Sequence, residues 1–357
     1  MTQGTIKNKI FFIVASLGAG GAERVFWLLA QRFDKSLYDI TIVFLNSEDK
    51  CFSTDIDGVN FVDLKTRKAS LSFFALYKFL KKEKPFAIFS TTGHINILVS
   101  LVSLFISVPN LIARASNIPD QMKKFDGRKT RFWNIFTRIS YHRFDIIVCQ
   151  SDEMMQSVIK EYKVNPGKLI VIPNPVLYTG LIKEEYHSPS KKRLIIVARL
   201  SKEKGIDRLL DIIKELPENY SLTIVGDGGL KGDILSKVEL LKLNHRVVFM
   251  GQITNVAKII LEHDLMVLSS FTEGFPNVVL ESLSVGIPVV TFRVGGLSGL
   301  LRNGFNGFIV EQGDLQGFKN QVLTACSKRW DFAAIKQDVY KRYALDKVAV
   351  EYQNLIV

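Results

Sequence analysis

Cysteine is scarce in this chain of 357 residues: Cys51, Cys149 and Cys326 stand far apart and are odd in number. That excludes a disulfide framework, offers no metal-ligand spacing and points to a reduced compartment. Long apolar runs are missing as well. The longest, Ile95 to Val108, falls short of the roughly 20 residues a spanning helix needs. It is also interrupted by Asn96, Ser100, Ser103 and Ser107, so it reads as a buried core helix. Near the start, KIFFIVASLGAGGAER has an apolar part only about a strand long that runs straight into glycines, which argues against a signal peptide. With 47% hydrophobic and 23% charged residues, the chain is neither disordered nor fibrous. It is too long for one ordinary core, so two domains are expected.

What is abundant is positive charge. The formal net charge is +12, and positions 51–150 hold 15 Lys/Arg against 7 Asp/Glu, a local excess of +8. Within that stretch, KTRKASLSFFALYKFLKKEK (65–84) and MKKFDGRKTRFWNIFTRISYHRF (122–144) interleave cations with rings. Such a mixture suits an anionic membrane surface, where rings enter the interface and cations meet headgroups. An ordinary amphipathic helix with a solvated basic face explains it equally well. Nucleic acid would accept the charge, but the chain carries no helix-turn-helix, zinc or aromatic RNA-binding signature, and no nucleic-acid partner is expected.

Along the chain, short apolar runs alternate with helix-like segments. KIFFIVAS, YDITIVFL, FAIFSTT, LIARASN, FDIIVCQS and KLIVIPNPV read as strands of a first parallel sheet. A polar stretch, Tyr178 to Lys192, reads as a linker. RLIIVARL, YSLTIVGDG, RVVFMG, LMVLSS, IPVVTF and GFIV then restart the pattern. The expectation is an α/β protein of two doubly wound Rossmann-like domains, 1–180 and 181–337, facing a cleft.

Ligands of such sheets bind beyond the carboxyl ends of the strands. In the second half those ends carry Arg199 and Lys204, then Gly226 and Asp227 in VGDGG, then SSFTEGFPN. Two cations, glycine turns and a helix start describe a phosphate site. Pro276 suits the first turn of that helix and Gly286 its end, so a helix is predicted over 276–285. Glu273 then precedes the helix and Glu281 lies inside it. A lone phosphate would repel two carboxylates. A nucleotide-sugar would not, because its diphosphate lies between hydroxyl-bearing arms that carboxylates can bind.

These residues resemble a known family. Glu273-x7-Glu281 within EGFPNVVLESLSVGIPVV, together with GAGGAER, ARLSKEKG, VGDGGLKGDI and GGLSGLLRNGFNGFIV, is similar in order and spacing to family 4 of the retaining glycosyltransferases, which have the GT-B fold. The likeness spans nearly the whole chain and is strongest from Arg193 to Gly313. It implies that Arg199 and Lys204 bind the donor diphosphate and that Glu273 contacts the transferred sugar. It implies further that Phe275, Pro276 and Asn277 belong to the loop whose backbone N–H groups face sugar and phosphate, that Glu281 holds the ribose, and that Gly20 and Gly21 form the glycine loop of the first domain. A C-terminal helix, 338–357, is expected to cross back to that domain. The family's usual histidine is missing from ARASNIPDQ, which leaves His94, Arg114 and Asn117 as acceptor-side candidates. Gly299 stands where the family usually has a glutamate.

The implied reaction is retaining transfer from a nucleotide-diphosphate sugar, with no cofactor and no metal. The basic, aromatic-rich first half fits a polyprenyl-diphosphate-linked glycan, hence synthesis of a bacterial surface polysaccharide (lipopolysaccharide or capsule) by a cytoplasmic enzyme peripheral on the inner face of the membrane. A nucleotide-sugar epimerase of the same fold is the alternative enzyme, and a basic nucleic-acid-binding protein the alternative from another class.

Overall fold

The computed structural model describes residues 7–18, 20–46, 51–66, 68–122, 128–184, 190–253 and 255–356; between 121 and 134 the description is of the backbone alone. The chain divides into two compact units, residues 1–177 with 345–357, and residues 178–344.

The first unit begins with β1 (Asn8–Val14), α1 (Gly21–Arg32), β2 (Tyr38–Phe44), β3 (Val59–Asp63), α2 (Phe73–Glu83), β4 (Ala87–Thr91) and α3 (Gly93–Val102). It continues with β5 (Asn110–Arg114), α4 (Pro119–Met122), α5 (Arg128–Arg143), β6 (Ile146–Cys149), α6 (Asp152–Tyr162) and β7 (Leu169–Val171). Its seven strands run in the order β3-β2-β1-β4-β5-β6-β7, all parallel. Successive side chains of β1 leave the sheet on opposite faces. Ile10, Phe12 and Val14 join one core with α1, while Phe11 and Ile13 join the other with α2 and α3. Burial on both faces explains why the strands read as unbroken apolar runs rather than as alternation. Sequence reading missed β3, an edge strand whose VNFVD is too polar to stand out.

The second unit comprises β8 (Lys192–Val197), α7 (Ile206–Glu215), β9 (Tyr220–Val225), α8 (Lys231–Leu240), β10 (Val247–Gly251), α9 (Val256–Leu261), β11 (Leu265–Leu268), α10 (Asn277–Ser284), β12 (Val289–Phe292), β13 (Gly307–Val310), α11 (Leu315–Ser327) and α12 (Phe332–Tyr343). Its sheet is ordered β10-β9-β8-β11-β12-β13. The segment before it is not a loose linker. Lys183 is buried, and its ammonium donates to the carbonyls of Leu261 (3.1 Å) and His263 (3.0 Å). Lys336 donates to Leu181 O at 2.9 Å.

The C-terminus differs from the single helix expected over 338–357. The helix breaks at Ala344, whose extended backbone ends α12, and α13 (Leu345–Gln353) follows. α12 packs on α10 within the second unit. α13 belongs to the first, where Leu345, Val348, Ala349, Tyr352 and Leu355 complete the core beside α1.

Candidate functional site

In the second sheet the chain winds outward one way from β8 and the other way from β11, so the strand order reverses between these two neighbours. A crevice opens beyond the carboxyl ends at such a reversal. The loop after β8 carries Arg199 and Lys204, and the loop after β11 carries Glu273. The two loops are bound into one body: Phe271 N donates to Glu203 O at 2.8 Å and Ser269 Oγ to Lys204 O at 2.9 Å. At their junction the Lys204 ammonium meets both oxygens of Glu273, at 2.7 and 2.9 Å. Glu273 Oε1 also accepts from Ser270 Oγ at 2.6 Å. Sequence reading assigned these two residues to one site but did not foresee that they neutralise each other there. Arg199 lies exposed on the same loop.

The glycines have a steric reason. Gly226 has φ +135°, and a Cβ on it would fall 2.0 Å from Ala198 O. The loop after β9 thus passes hard against the loop after β8, and Leu200 N donates to Asp227 O at 3.0 Å. Asp227 itself is exposed, and its carboxylate is engaged locally by Gly228 N (2.7 Å) and Lys231 Nζ (3.2 Å).

α10 begins at Asn277, with Pro276 in the N-cap position and Phe275 half-buried before it. Its N-terminus lies at the end of the loop that follows β11, and a helix N-terminus favours an anion. Glu281 is half-buried in the fifth position of the helix. The helix stops as foreseen: Gly286 has φ +87°, with Gly286 N donating to Leu283 O and Ile287 N to Ser282 O, both at 3.0 Å. At Gly299, the carbonyl accepts from Tyr343 Oη (2.7 Å) and from Arg342 Nη1, and the Tyr343 ring lies 6.2 Å from that of Phe275.

In the first unit the strand order reverses between β1 and β4. Gly20 and Gly21 open α1 after β1, and Gly20 O accepts the first helical bond from Arg24 N. After β4, Thr92 holds φ +69° and ψ 143°, strained for a β-branched residue, a signal invisible in sequence. His94 is exposed in the first turn of α3, and Asn117 is exposed in the loop after β5. Arg114 is a correction to the acceptor-side set. It is only 3% exposed, and its guanidinium donates to Thr91 Oγ1 (3.3 Å) and Asn174 Oδ1, so it ties the ends of β4 and β5 to the segment after β7. Burial lowers its pKa.

Among the described residues no group of three His, Cys, Asp or Glu is placed to hold a metal ion. The chain does contain an Asp-x-Asp run, Asp55 to Asp57, but both residues are exposed just before β3, at its amino end and not at the carboxyl ends of the strands.

The basic stretches are also placed. In α2, α3, the turn after α3 and α5, Phe74 (73% exposed), Leu101, Leu104, Phe105 (65%), Ile135 and Ile139 present apolar groups to solvent. The Phe105 ring meets Phe73 at 5.8 Å and Tyr77 at 6.4 Å. Lys78, Lys81 and Lys82 are exposed along α2. Tyr141 and Phe144, expected among the interfacial rings, are core residues instead. Lys123, Lys124, Phe125, Arg128, Lys129, Arg131, Phe132 and Trp133 lie outside the described side chains. Among the described residues no helix is long and apolar enough to cross a membrane.

Comparison with known proteins agrees with this geometry. Residues 19–176 match the model described as Glycosyltransferase Family 4, and residues 180–344 match Glycosyl transferases group 1. The Escherichia coli UDP-Gal:alpha-D-GlcNAc-diphosphoundecaprenol alpha-1,3-galactosyltransferase is 28% identical over 270 residues, covering 71% of this chain and 69% of the relative. A Campylobacter jejuni GalNAc-alpha-(1->4)-GalNAc-alpha-(1->3)-diNAcBac-PP-undecaprenol alpha-1,4-N-acetyl-D-galactosaminyltransferase is 28% identical over 318 residues, covering 85% and 84%. Among solved structures, Anabaena HepE in complex with UDP and glucose superposes with a TM-score of 0.81 at 19% identity, over 97% of this chain and 98% of its own. Sucrose-phosphate synthase from Thermosynechococcus elongatus gives 0.83 at 15%, over 98% of each. At such identities the structures speak for the fold alone.

Proposed function

This chain belongs to the family 4 glycosyltransferases, and from that premise we propose that it moves a sugar from a nucleoside-diphosphate sugar to a lipid-linked glycan in bacterial surface polysaccharide synthesis, with retention and without a metal. The observation that carries the reading is the Lys204–Glu273 pair, held at the strand-order reversal beside the start of α10. Cation, carboxylate and helix N-terminus there match the three parts of the donor: phosphate, sugar hydroxyls and leaving-group charge.

In this reading the diphosphate sits against Arg199, Lys204 and the first N–H groups of α10. Glu281 receives the ribose hydroxyls. Lys204 exchanges Glu273 for phosphate oxygens, and Glu273 turns to the sugar. When the C1–O bond breaks, negative charge grows on the nucleotide phosphate, where the same cations stabilise it more strongly than in the ground state. The acceptor hydroxyl attacks C1 from the side the nucleotide leaves and passes its proton to the departing phosphate oxygen, so the configuration is kept. His94 and Asn117 are the acceptor-side residues proposed.

The lipid-linked acceptor rests on the two undecaprenol-linked relatives and on the face of α2, α3 and α5. Exposed rings with lysines beside them suit an anionic bilayer surface, and we place that face against the inner membrane leaflet. The test is a panel of nucleotide-sugars scored for nucleotide release with and without a bacterial lipid extract. Extract-dependent release from one donor is expected; release of a rearranged nucleotide-sugar with no transfer would favour an epimerase.

A further inference from the structure

Beneath the Lys204–Glu273 pair lies a second arginine that the sequence did not advertise. Arg208 sits on α7 and is 8% exposed. Its guanidinium lies between two aromatic rings, 3.7 Å from the centroid of Phe271 and 3.9 Å from that of Phe292. Nε and Nη2 donate to Ser269 O at 2.9 and 2.6 Å, Nη2 also donates to Ser270 O at 2.8 Å, and Nη1 reaches Gln312 Oε1 at 3.0 Å. Gln312 Nε2 in turn donates to Ser270 O and to Arg293 O, each at 3.0 Å. Three donor contacts from one planar group thus converge on the turn that leaves β11, and a fourth ties it to Gln312.

That turn is the root of the site. Ser269 lends its hydroxyl to Lys204 O, Ser270 lends its hydroxyl to Glu273, and Phe271 N is fixed on Glu203 O. Gly205, between Lys204 and α7, leaves no room for slack: a Cβ there would lie 2.3 Å from Ser269 O. We propose that Arg208, held by Phe271, Phe292 and Gln312, is the positioning residue that sets Lys204 and Glu273 against the donor. It touches neither substrate nor reacting atoms and acts through the carbonyls of Ser269 and Ser270. A lysine cannot replace it, because an ammonium has neither the fork that grips two carbonyls nor the flat face that lies between rings. This inference rests on the donor-site reading above for its catalytic consequence, but not for the clamp itself.

The test pairs Arg208→Lys with Gln312→Ala, the latter at an exposed position where folding is not at stake. Amide hydrogen exchange of Phe271 reports the clamp whether or not a donor has been found. Arg208→Lys is expected to speed that exchange about tenfold or more, with amides of β8 and β11 unchanged. It is expected to lower kcat about tenfold or more while leaving the affinity for the free nucleoside diphosphate within about threefold. Gln312→Ala should move both quantities in the same direction by a smaller factor. Unchanged Phe271 exchange in Arg208→Lys overturns the proposal, as does faster exchange with unaltered kcat. If Arg208→Lys does not fold, Gln312→Ala decides, and no effect on exchange or kcat overturns it. A wild-type protein that releases nucleotide from no donor refutes the donor-site reading, while the exchange result still settles the clamp.

Discussion

Lys204 and Glu273 are paired at the candidate donor site, so each variant there reports on the donor. Lys204→Ala and Arg199→Ala are each expected to cut turnover by about a hundredfold or more, since one charge-stabilising contact of about 3 kcal/mol acts mainly on the transition state. Melting temperature should move little, because Arg199 is exposed and Glu273 keeps Ser270 as partner. Near-normal kcat/KM in both variants would remove them from the site. The two glutamates should separate by calorimetry: Glu281→Ala weakens binding of the free nucleoside diphosphate, whereas Glu273→Ala spares it and impairs transfer. Equal binding by both variants would show the division of roles to be wrong. At this scale the sequence was legible for placement: Lys204 and Glu273 meet, Arg199 shares the loop of Lys204, and Glu281 lies inside α10. It was illegible where a role depended on what packs around a side chain. Arg114 looked like an acceptor contact and is a buried tie. Arg208 drew no reading from the sequence; its place among Ile206, Leu209 and Leu210 on α7 was the only signal on offer.

Among the elements, α9 offers a pH-dependent contact. His263, buried just past its end, meets Ile259 O through Nδ1 at 2.7 Å and Thr223 Oγ1 through Nε2 at 2.8 Å. A neutral ring that donates from Nδ1 and accepts at Nε2 satisfies both, joining α9 to β9. Burial lowers its pKa below the ordinary 6.5, against a smaller opposing effect of the Ile259 carbonyl. The folded state therefore binds the proton less readily than the unfolded state. Stability is full above pH 6.5 and falls as the solution is acidified below it. His263→Gln should abolish that part of the dependence of melting temperature on pH between 7 and 5, whatever its effect at pH 7; an unchanged slope would mean that the ring does not titrate on unfolding. Elements were the most readable level of this chain, because strands buried on both faces and helices with glycine stops leave strong local signals. The exceptions have physical reasons. The polar edge strand β3 lacks the apolar run, and the break at Ala344 is an extended residue inside a helical pattern, which nothing local marks.

For the whole molecule, net charge of +12 and an exposed apolar face on the first unit lead to one expectation. The protein should sediment with vesicles containing anionic phospholipid and much less with neutral ones, and binding should weaken as salt rises, since each cation near the surface contributes about 1 kcal/mol that salt screens. Replacing Lys78, Lys81 and Lys82 by Gln, or Phe74 and Phe105 by Ser, should release it while leaving nucleotide binding intact. Equal sedimentation with both lipids, or with neither, would return that face to an ordinary solvated surface. Two doubly wound units were readable because the strand–helix alternation restarts after Tyr178. The return of α13 to the first unit was anticipated only through the family resemblance, since no local pattern says which core a terminal helix will complete. The most direct test of the account is transfer itself. Purified protein, a nucleotide-sugar panel and polyprenyl-diphosphate-linked acceptors from a bacterial extract should give, for one donor, nucleoside diphosphate release matched by sugar on the lipid with its anomeric configuration kept, and Lys204→Ala should lose both together. Release and transfer that persist undiminished in Lys204→Ala, or transfer from no donor at all, would contradict it.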